Sequence, residues 1–326
     1  MRTRKLGWTG EELTVIGLGA WAMGGGGWAY AWGPQDDRDS IATIQRALDL
    51  GINWIDTAAV YGLGHSEEIV GQAIQGRRDQ VFLATKCSRV WDAQGHIYGR
   101  LKAWSVRQEL EASLRRLRVD TIDLYQIHWP DPDQDLEEAW TEMAKAVEEG
   151  KVRYLGVSNF SVAQMERLRA IHPIASLQPP YSLLRRGVEN EILPYCARHN
   201  IGVIAYSPLG SGLLTGKFDR QKLQSLPPDD WRRRGQLFQE PEFSVNLAFV
   251  DELQKLAARY TRPVSHLAIA WVLRRPEITA AIVGARRPSQ IEETAPAADW
   301  ELPSELEAEI DRLLQQRERQ LASASI

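Results

Sequence analysis

Two hydrophobic rhythms take turns along the chain. Short, almost wholly apolar runs rich in β-branched residues read as buried strands. Between them, apolar residues recur every third or fourth position, as on one face of a helix. After a hairpin-like start over residues 2–14 (RTRKL-GWTGEE-LTV), which would cap one end of the molecule, strands are predicted at 14–19, 52–55, 81–85, 122–127, 152–157, 176–177, 202–205 and 280–283. Helices are predicted over 40–50 with Asp39 as N-cap, 67–75, 105–117 with Ser105 as N-cap, and 136–148 stopped by Gly150. Further helices follow at 162–170 with Ser161 as N-cap, 189–198, 244–259, 265–274 and 289–295, with a charged terminal one over 304–319. Residues 207–242 read as a long irregular excursion. Helical pattern follows each of the eight strands, and no change of composition marks a linker, so residues 1–326 read as one domain. Alternating β and α units imply a parallel sheet. Eight of them in one domain imply an α/β fold, a closed (β/α)8 TIM barrel with helices outside, an N-terminal hairpin and a C-terminal helix.

Composition mainly excludes. The formal net charge of −4, with no long basic run, argues against a nucleic-acid surface. The early positive charges of residues 1–10 lack an apolar core behind them, so they do not read as a signal peptide. No apolar run is long enough to span a bilayer. Cys87 and Cys196 are the only cysteines, too few for a disulfide framework, and the reducing cytoplasm is the expected compartment. Cys87 follows Lys86, as a reactive thiol would, but a small residue at a strand end is the simpler reading. The six histidines form neither an H-x-H pair nor H-E-x-x-H, so no metal site is expected. The 12 tryptophans are unusual. Trp54, Trp140 and Trp271 lie in predicted strands or helices and belong to the core. Trp21, Trp28, Trp32, Trp91 and Trp129 lie in predicted loops, where they would line one apolar substrate pocket.

Two glycine motifs fail on context. Gly17-Leu-Gly19-Ala-Trp-Ala22 fits the dinucleotide fingerprint G-x-G-x-x-A, which needs a helix to begin there. Gly24–Gly27 follow at once, and four successive glycines do not continue a helix. Gly212–Lys217 ends in Gly-Lys but is one residue too short for a phosphate-binding P-loop, with Phe218 where Ser or Thr must stand. An ordinary Rossmann dehydrogenase is therefore set aside.

The chemistry-bearing stretch is 52–67, INWIDTAAVYGLGHSE. A strand ends on the carboxylate of Asp56, and the phenol of Tyr61 stands on the loop beyond. The next two strands end in Lys86 and His128. Adjacent strands lie about 4.8 Å apart, so residues at one level form a row. If Asp56 points inward, so do Trp54 and Ile52; if Lys86 does, so do Ala84 and Phe82; if His128 does, so do Gln126 and Leu124. An inward Lys86 needs a counter-charge, and Asp56 is within reach. Singly, each residue reads as a strand tie or a satisfied rim group. Together on three successive strand ends, Asp, Tyr, Lys and His point to chemistry at the C-terminal rim of a barrel.

Over essentially its whole length the chain resembles the aldo-keto reductases. The carriers are INWIDTAAVYGLGHSE, ATK ending at Lys86, DLYQIHWPDP around His128, GKVRYLGVSNF ending at Asn159, SLQPPYS around Gln178, and IAYSPLGSGLLTGK from Ile204. Each is short; their order and spacing together are specific. The resemblance implies a barrel that reduces carbonyls with NADP(H) and has no Rossmann domain. Its four catalytic positions fall on Asp56, Tyr61, Lys86 and His128. Tyr61 is then the expected general acid, its pKa of about 10 lowered by the Lys86 ammonium, with Asp56 holding Lys86 and His128 hydrogen-bonding the carbonyl oxygen.

The resemblance also implies the cofactor contacts. Ser158, Asn159 and Gln178 would hold the nicotinamide carboxamide, and Tyr206 would stack on the ring. Gly19, Ala20, Trp21 and Asp56 would flank it. The loop of Ser207, Pro208, Leu209, Ser211 and Gly212, rich in small residues, would bring backbone N–H groups to the pyrophosphate, with Lys217 closing over it. After the last strand, Gly284, Arg286, Gln290, Glu293 and Thr294 would hold the adenosine half, with Arg286 placed for a 2′-phosphate. Many relatives carry Lys-Ser where this chain has Gly284-Ala285, and Asn where it has Thr294. The partner would be a small carbonyl compound. A second implied class is a slow-turnover regulatory subunit like the potassium-channel β subunits.

Overall fold

The computed structural model describes residues 1–324; the last two residues of the expected domain lie outside the described residues. The chain opens with β1 (Thr3–Lys5) and β2 (Glu12–Thr14), an antiparallel hairpin as expected. Barrel strands follow as β3 (Ile16–Gly19), β4 (Trp54–Asp56) and β5 (Phe82–Cys87). A second hairpin, β6 (Arg89–Trp91) with β7 (Ile97–Gly99), interrupts them. The barrel resumes with β8 (Ile122–Ile127), β9 (Val152–Ser158), β10 (Ser176–Gln178), β11 (Gly202–Ala205) and β12 (Ile278–Gly284). Its eight strands run parallel and close in the order β3-β4-β5-β8-β9-β10-β11-β12. The helices are α1 (Asp37–Asp49), α2 (His65–Ala73), α3 (Ala103–Leu117), α4 (Leu136–Glu148), α5 (Val162–Arg169), α6 (Ile192–Arg198), α7 (Arg220–Gln224), α8 (Glu242–Ala258), α9 (Val264–Leu273), α10 (Pro288–Thr294) and α11 (Ser304–Ala324).

Strand alternation sorts the core into two layers. Trp54, Phe82, Ala84, Leu124, Ile204 and Ala280 fill the barrel interior, and Leu6 and Leu13 of the hairpin close its N-terminal end. The Trp54 indole donates to Thr14 O at 2.9 Å, so this fully buried side chain keeps its hydrogen bond. Ile55, Leu83, Ile127 and Leu155 point outward against the helices, and Ile52, expected inward, packs with them because it precedes β4 and its alternation. Trp140 and Trp271 are fully buried, as expected.

Helix starts follow the caps. The expected cap Asp39 lies inside α1; Asp36 is the N-cap, its carboxylate accepting from the Arg38 and Asp39 amides. Ser105 likewise lies inside α3, which starts after Lys102 with no side-chain cap. Ser161 does cap α5, in a reciprocal box with Gln164. The excursion after β11 carries α7 and 3-10 turns at Gly210–Thr215, Trp231–Arg234 and Gln236–Phe238. It folds back over the loop after β3: Gly27 N donates to Asp229 Oδ2 at 2.9 Å, Trp231 N to Ala31 O at 3.0 Å, and Arg234 to Ala29 O at 2.6 Å.

Candidate active site

Asp56 ends β4 level with Ala84, whereas Lys86 stands level with Gln126. The expected row is therefore staggered, and Lys86 reaches back to close it. Its Nζ donates to Asp56 Oδ2 at 2.6 Å and Thr57 O at 2.8 Å, and lies 3.5 Å from Tyr61 Oη. Lys86 is 1% exposed and Asp56 3%, a buried ion pair in which either charge alone would be costly. His128 follows β8, its amide donating to Cys87 O at 3.1 Å, and its ring meets Tyr61 edge-on with centroids 5.6 Å apart.

Tyr61 is seated by two glycines. A Cβ on Gly62 (φ +62) would fall 2.1 Å from Gly24 O, and one on Gly24 would fall 2.5 Å from Gly62 N. Only bare backbones can touch this closely, and the contact presses the Tyr61 loop against the loop after β3. Behind the row, Glu109 of α3 accepts from Ser88 N at 3.0 Å. The Ser88 hydroxyl donates to Trp129 O and accepts from Trp129 N, so it joins the ends of β5 and β8.

Burial governs the electrostatics. It pushes the Tyr61 phenol well above its ordinary pKa, and the Asp56 carboxylate adds to that. The expectation that Lys86 would lower this pKa is not met: Asp56 balances the lysine charge, and both burial and the carboxylate favour a neutral phenol. Burial lowers the Lys86 pKa against the pull of Asp56. Burial, then Lys86 and Arg89, hold His128 well below the usual histidine range, so its imidazole is neutral near pH 7. Burial also raises the Cys87 thiol well above its usual range, which removes it as a reactive group.

A second network joins the expected nicotinamide contacts. Ser158 Oγ donates to Gln178 O at 2.8 Å, Asn159 Nδ2 to Ser158 Oγ at 3.0 Å, and Tyr206 Oη to Asn159 Oδ1 at 2.9 Å. Gln178 Nε2 donates to Asp56 Oδ1 at 2.8 Å, which ties the network to the ion pair. Gln126 also reaches Asp56 Oδ1, at 3.4 Å. Its inward parity was readable in the sequence; its place beside Asp56 was not.

The expected pocket of five loop tryptophans is only partly assembled. Trp21 stacks on Trp231 with centroids 5.2 Å apart, Trp32 meets both edge-on, and Trp21 and Trp28 flank Tyr61. Among the described residues neither Trp91 nor Trp129 makes a ring contact with this group. Trp129 is 41% exposed beneath the Arg89 guanidinium. Trp231, on the excursion, takes a place the sequence reading did not assign.

At the far end of the rim, several expected contacts are already engaged with protein. Lys217 pairs with Glu293, its Nζ 2.6 Å from Oε2. The Thr294 hydroxyl donates to Gln290 O at 2.9 Å within its own helix. Gln290 Oε1 accepts from Arg286 N at 2.7 Å and Arg287 N at 3.2 Å. The Arg286 guanidinium is held by Gln35 and the carbonyls of Trp32 and Pro34. Gly284 ends β12 on the exposed rim.

The rim can be tested against a nicotinamide dinucleotide. Ser207, Gly210, Ser211 and Gly212 all have positive φ in a tight turn closed by Gly210 N donating to Ser207 O and Gly212 N to Leu209 O, both at 3.0 Å. Pro208 and Leu209 complete this turn, and Gly19 packs so closely under Ile282 that a Cβ would lie 2.7 Å from it. Ala20 donates its amide to Asp56 O at 2.9 Å, which keeps that loop low at the strand ends. Among the described residues, Gln178 Oε1 accepts no hydrogen bond and the buried His128 Nδ1 has no partner. No group of three or more His, Cys, Asp and Glu there could hold a metal ion, and no helix is long and apolar enough to cross a membrane.

Known proteins share both the sequence and this architecture. The model of the aldo/keto reductase family matches residues 15–315. Aldo-keto reductase YhdN of Bacillus subtilis (strain 168) is 44% identical over 310 residues, covering 94% of this chain and 92% of that protein. The NADH-specific methylglyoxal reductase of Escherichia coli (strain K12) is 36% identical over 320 residues, covering 93% and 95%. Among solved structures, glycerol dehydrogenase AKR11B4 from Gluconobacter oxydans superposes with a TM-score of 0.87 at 42% identity, covering 97% of this chain and 95% of that one. A closed parallel barrel, a buried Asp–Lys pair beside a tyrosine and a histidine, and matches along nearly the whole length lead to one conclusion: the chain belongs to the aldo/keto reductase family of oxidoreductases.

Proposed function

We propose that this protein reduces small aldehydes or ketones to alcohols with NADPH, and that Tyr61 supplies the proton. The observation that carries the reading is the buried cluster in which Lys86 lies 2.6 Å from Asp56 and 3.5 Å from Tyr61 Oη, with His128 edge-on to the same ring.

The bound nicotinamide would supply the hydride. Tyr61, kept protonated by burial, gives its phenolic proton to the carbonyl oxygen as negative charge grows there. The neutral His128 donates a hydrogen bond to the same oxygen and orients it. Lys86 stabilises the phenolate left behind, and Asp56 fixes Lys86. Ser158, Asn159 and Gln178 hold the carboxamide, Gln178 through its free Oε1, and Tyr206 offers its ring face. Trp21 and Trp28 wall the substrate side of Tyr61 with apolar surface, which excludes water. The turn at Ser207–Gly212 receives the pyrophosphate, and Arg286 the 2′-phosphate. The reading assigns a reducing cytoplasm, consistent with two free and buried cysteines.

Steady-state oxidation of NADPH and of NADH, each with a panel of aldehydes and ketones, tests this. Carbonyl-dependent turnover with NADPH is expected. Tight cofactor binding without turnover would favour the regulatory-subunit reading instead.

A further inference from the structure

Arg286 is a half-buried cation on the rim whose guanidinium is already held by the protein. A guanidinium has five N–H donors arranged along two edges that can each grip an anion with a pair of bonds. Here Nε donates to Gln35 Oε1 at 2.7 Å, Nη1 to Trp32 O at 3.2 Å, and Nη2 to Pro34 O. One edge is thus fully used and the other half used. A phosphate cannot take a paired grip unless Arg286 gives up an acceptor.

The three acceptors are all uncharged. Asp230, the nearby carboxylate, is committed to Arg232, which it grips through Nε at 3.0 Å and Nη2 at 2.6 Å. Burial, and after it the like charge of Arg232, disfavours the charged form of Arg286, and the attraction of Asp230 offsets this only in part. Arg286 is therefore a half-buried cation satisfied by neutral oxygens and still short of an anion. Trp32 and Pro34 contribute backbone carbonyls. Gln35 is the one acceptor that is a side chain, and it holds Arg286 from both sides, since its Nε2 donates to Arg286 O at 2.9 Å. It is braced in turn on Ser40 Oγ of α1 at 3.0 Å.

We propose that Gln35 is a specificity-determining residue for the cofactor: its amide competes with a 2′-phosphate for Arg286 and so narrows the preference for NADPH over NADH. The inference rests on the reading of Arg286 as the 2′-phosphate ligand. NADH presents only a hydroxyl at that position, so the competition leaves it untouched.

Fluorescence titration of wild type, Gln35→Ala and Gln35→Glu with NADPH and NADH tests the idea. Gln35→Ala frees Arg286 Nε, while the Trp32 and Pro34 carbonyls stay in place, and should tighten NADPH binding about three- to tenfold, with NADH changed by less than about twofold. Gln35→Glu keeps the shape but ties Arg286 into a charged pair and repels a phosphate. It should weaken NADPH about tenfold or more and again spare NADH. Unfolding midpoints of both variants check that the loop survives. If Gln35→Ala weakens NADPH, the residue orients Arg286 rather than competing for it, and the proposal falls. It also falls if both cofactors shift equally. Arg286→Ala separates this from the reading beneath it. A variant that binds NADPH as tightly as wild type removes that reading, whereas a clear loss with flat Gln35 ratios overturns the present inference alone.

Discussion

The two ends of the cleft are built differently. At the catalytic end, Asp56 ends a barrel strand, Lys86 lies near the end of the next, and His128 directly follows a third. Strand parity and register fix their directions before any side chain chooses a partner. At the adenosine end, Arg286, Lys217 and Glu293 stand on loops and on α10, and each has found a protein partner that no periodicity dictates. The first end is buried, and its charges are paired with each other. The second is exposed enough to exchange partners: the Lys217 side chain is 67% exposed even while paired. On the proposed reading, the barrel places the chemistry and competition among loops sets cofactor choice.

The largest expected effect strikes the catalytic end. Tyr61→Phe removes one hydroxyl and should lower kcat by roughly 10²–10⁴-fold while cofactor affinity holds. A wild-type rate would show that the proton comes from elsewhere.

Lys86→Met should abolish most turnover and also destabilise the fold, because it strands a buried Asp56 carboxylate at a cost of about 3–5 kcal/mol. Adding Asp56→Asn should restore the unfolding midpoint but not the rate. Recovery of both would reduce the ion pair to scaffolding and erase the contrast between the two ends.

Arg286→Ala addresses the other end. It should weaken NADPH several-fold, up to about tenfold, and leave NADH nearly unchanged. The loss is held to the lower part of the range for a charge-assisted bond because Gln35 already occupies the arginine. Equal losses for both cofactors would assign Arg286 to the loop alone.

The last test lies behind the catalytic row, and there the sign is set by burial. Glu109 has its pKa raised from 4.5 to about 8. Between those values the unfolded chain has released the proton and the folded one retains it, so stability falls as pH rises through this window and levels off above it. Glu109→Gln cannot titrate. The stability of wild type relative to the variant should therefore decline from pH 5 to pH 8, read by denaturant unfolding at each pH. His128, with its pKa depressed, works the other way and costs stability as pH falls below about 6.5. A wild-type-minus-variant difference that stays flat with pH would mean Glu109 is ionised throughout.

The legible part of the molecule was what strand geometry controls. Eight apolar runs gave the barrel, and the inward parity of Trp54, Ala84 and Gln126 gave the direction of the catalytic row. The stagger between Asp56 and Lys86 was not legible, because register depends on how the sheet closes. Nor was the β6–β7 hairpin, whose strands are short and half exposed and carry no strong alternation. The sign of the Tyr61 shift was missed because sequence names neighbours but not depth: pairing with Lys86 was foreseen, and burial outweighed it. Trp231 and Gln35 were missed for a related reason. Both act across the rim on residues far away in sequence, where no local pattern announces a partner.

The contact between Gly24 and Gly62 has a consequence for how this barrel can be altered. Barrel enzymes are often treated as a fixed frame with interchangeable rim loops. Here the loop after β3 is welded to the loop after β4 at two positions where neither can accept a side chain. The same β3 loop is stitched to the excursion after β11 through Ala31 and Trp231. The three segments therefore form a single transplantable module. A graft that swaps one of them to change substrate range carries the other two with it, or it unseats the tyrosine.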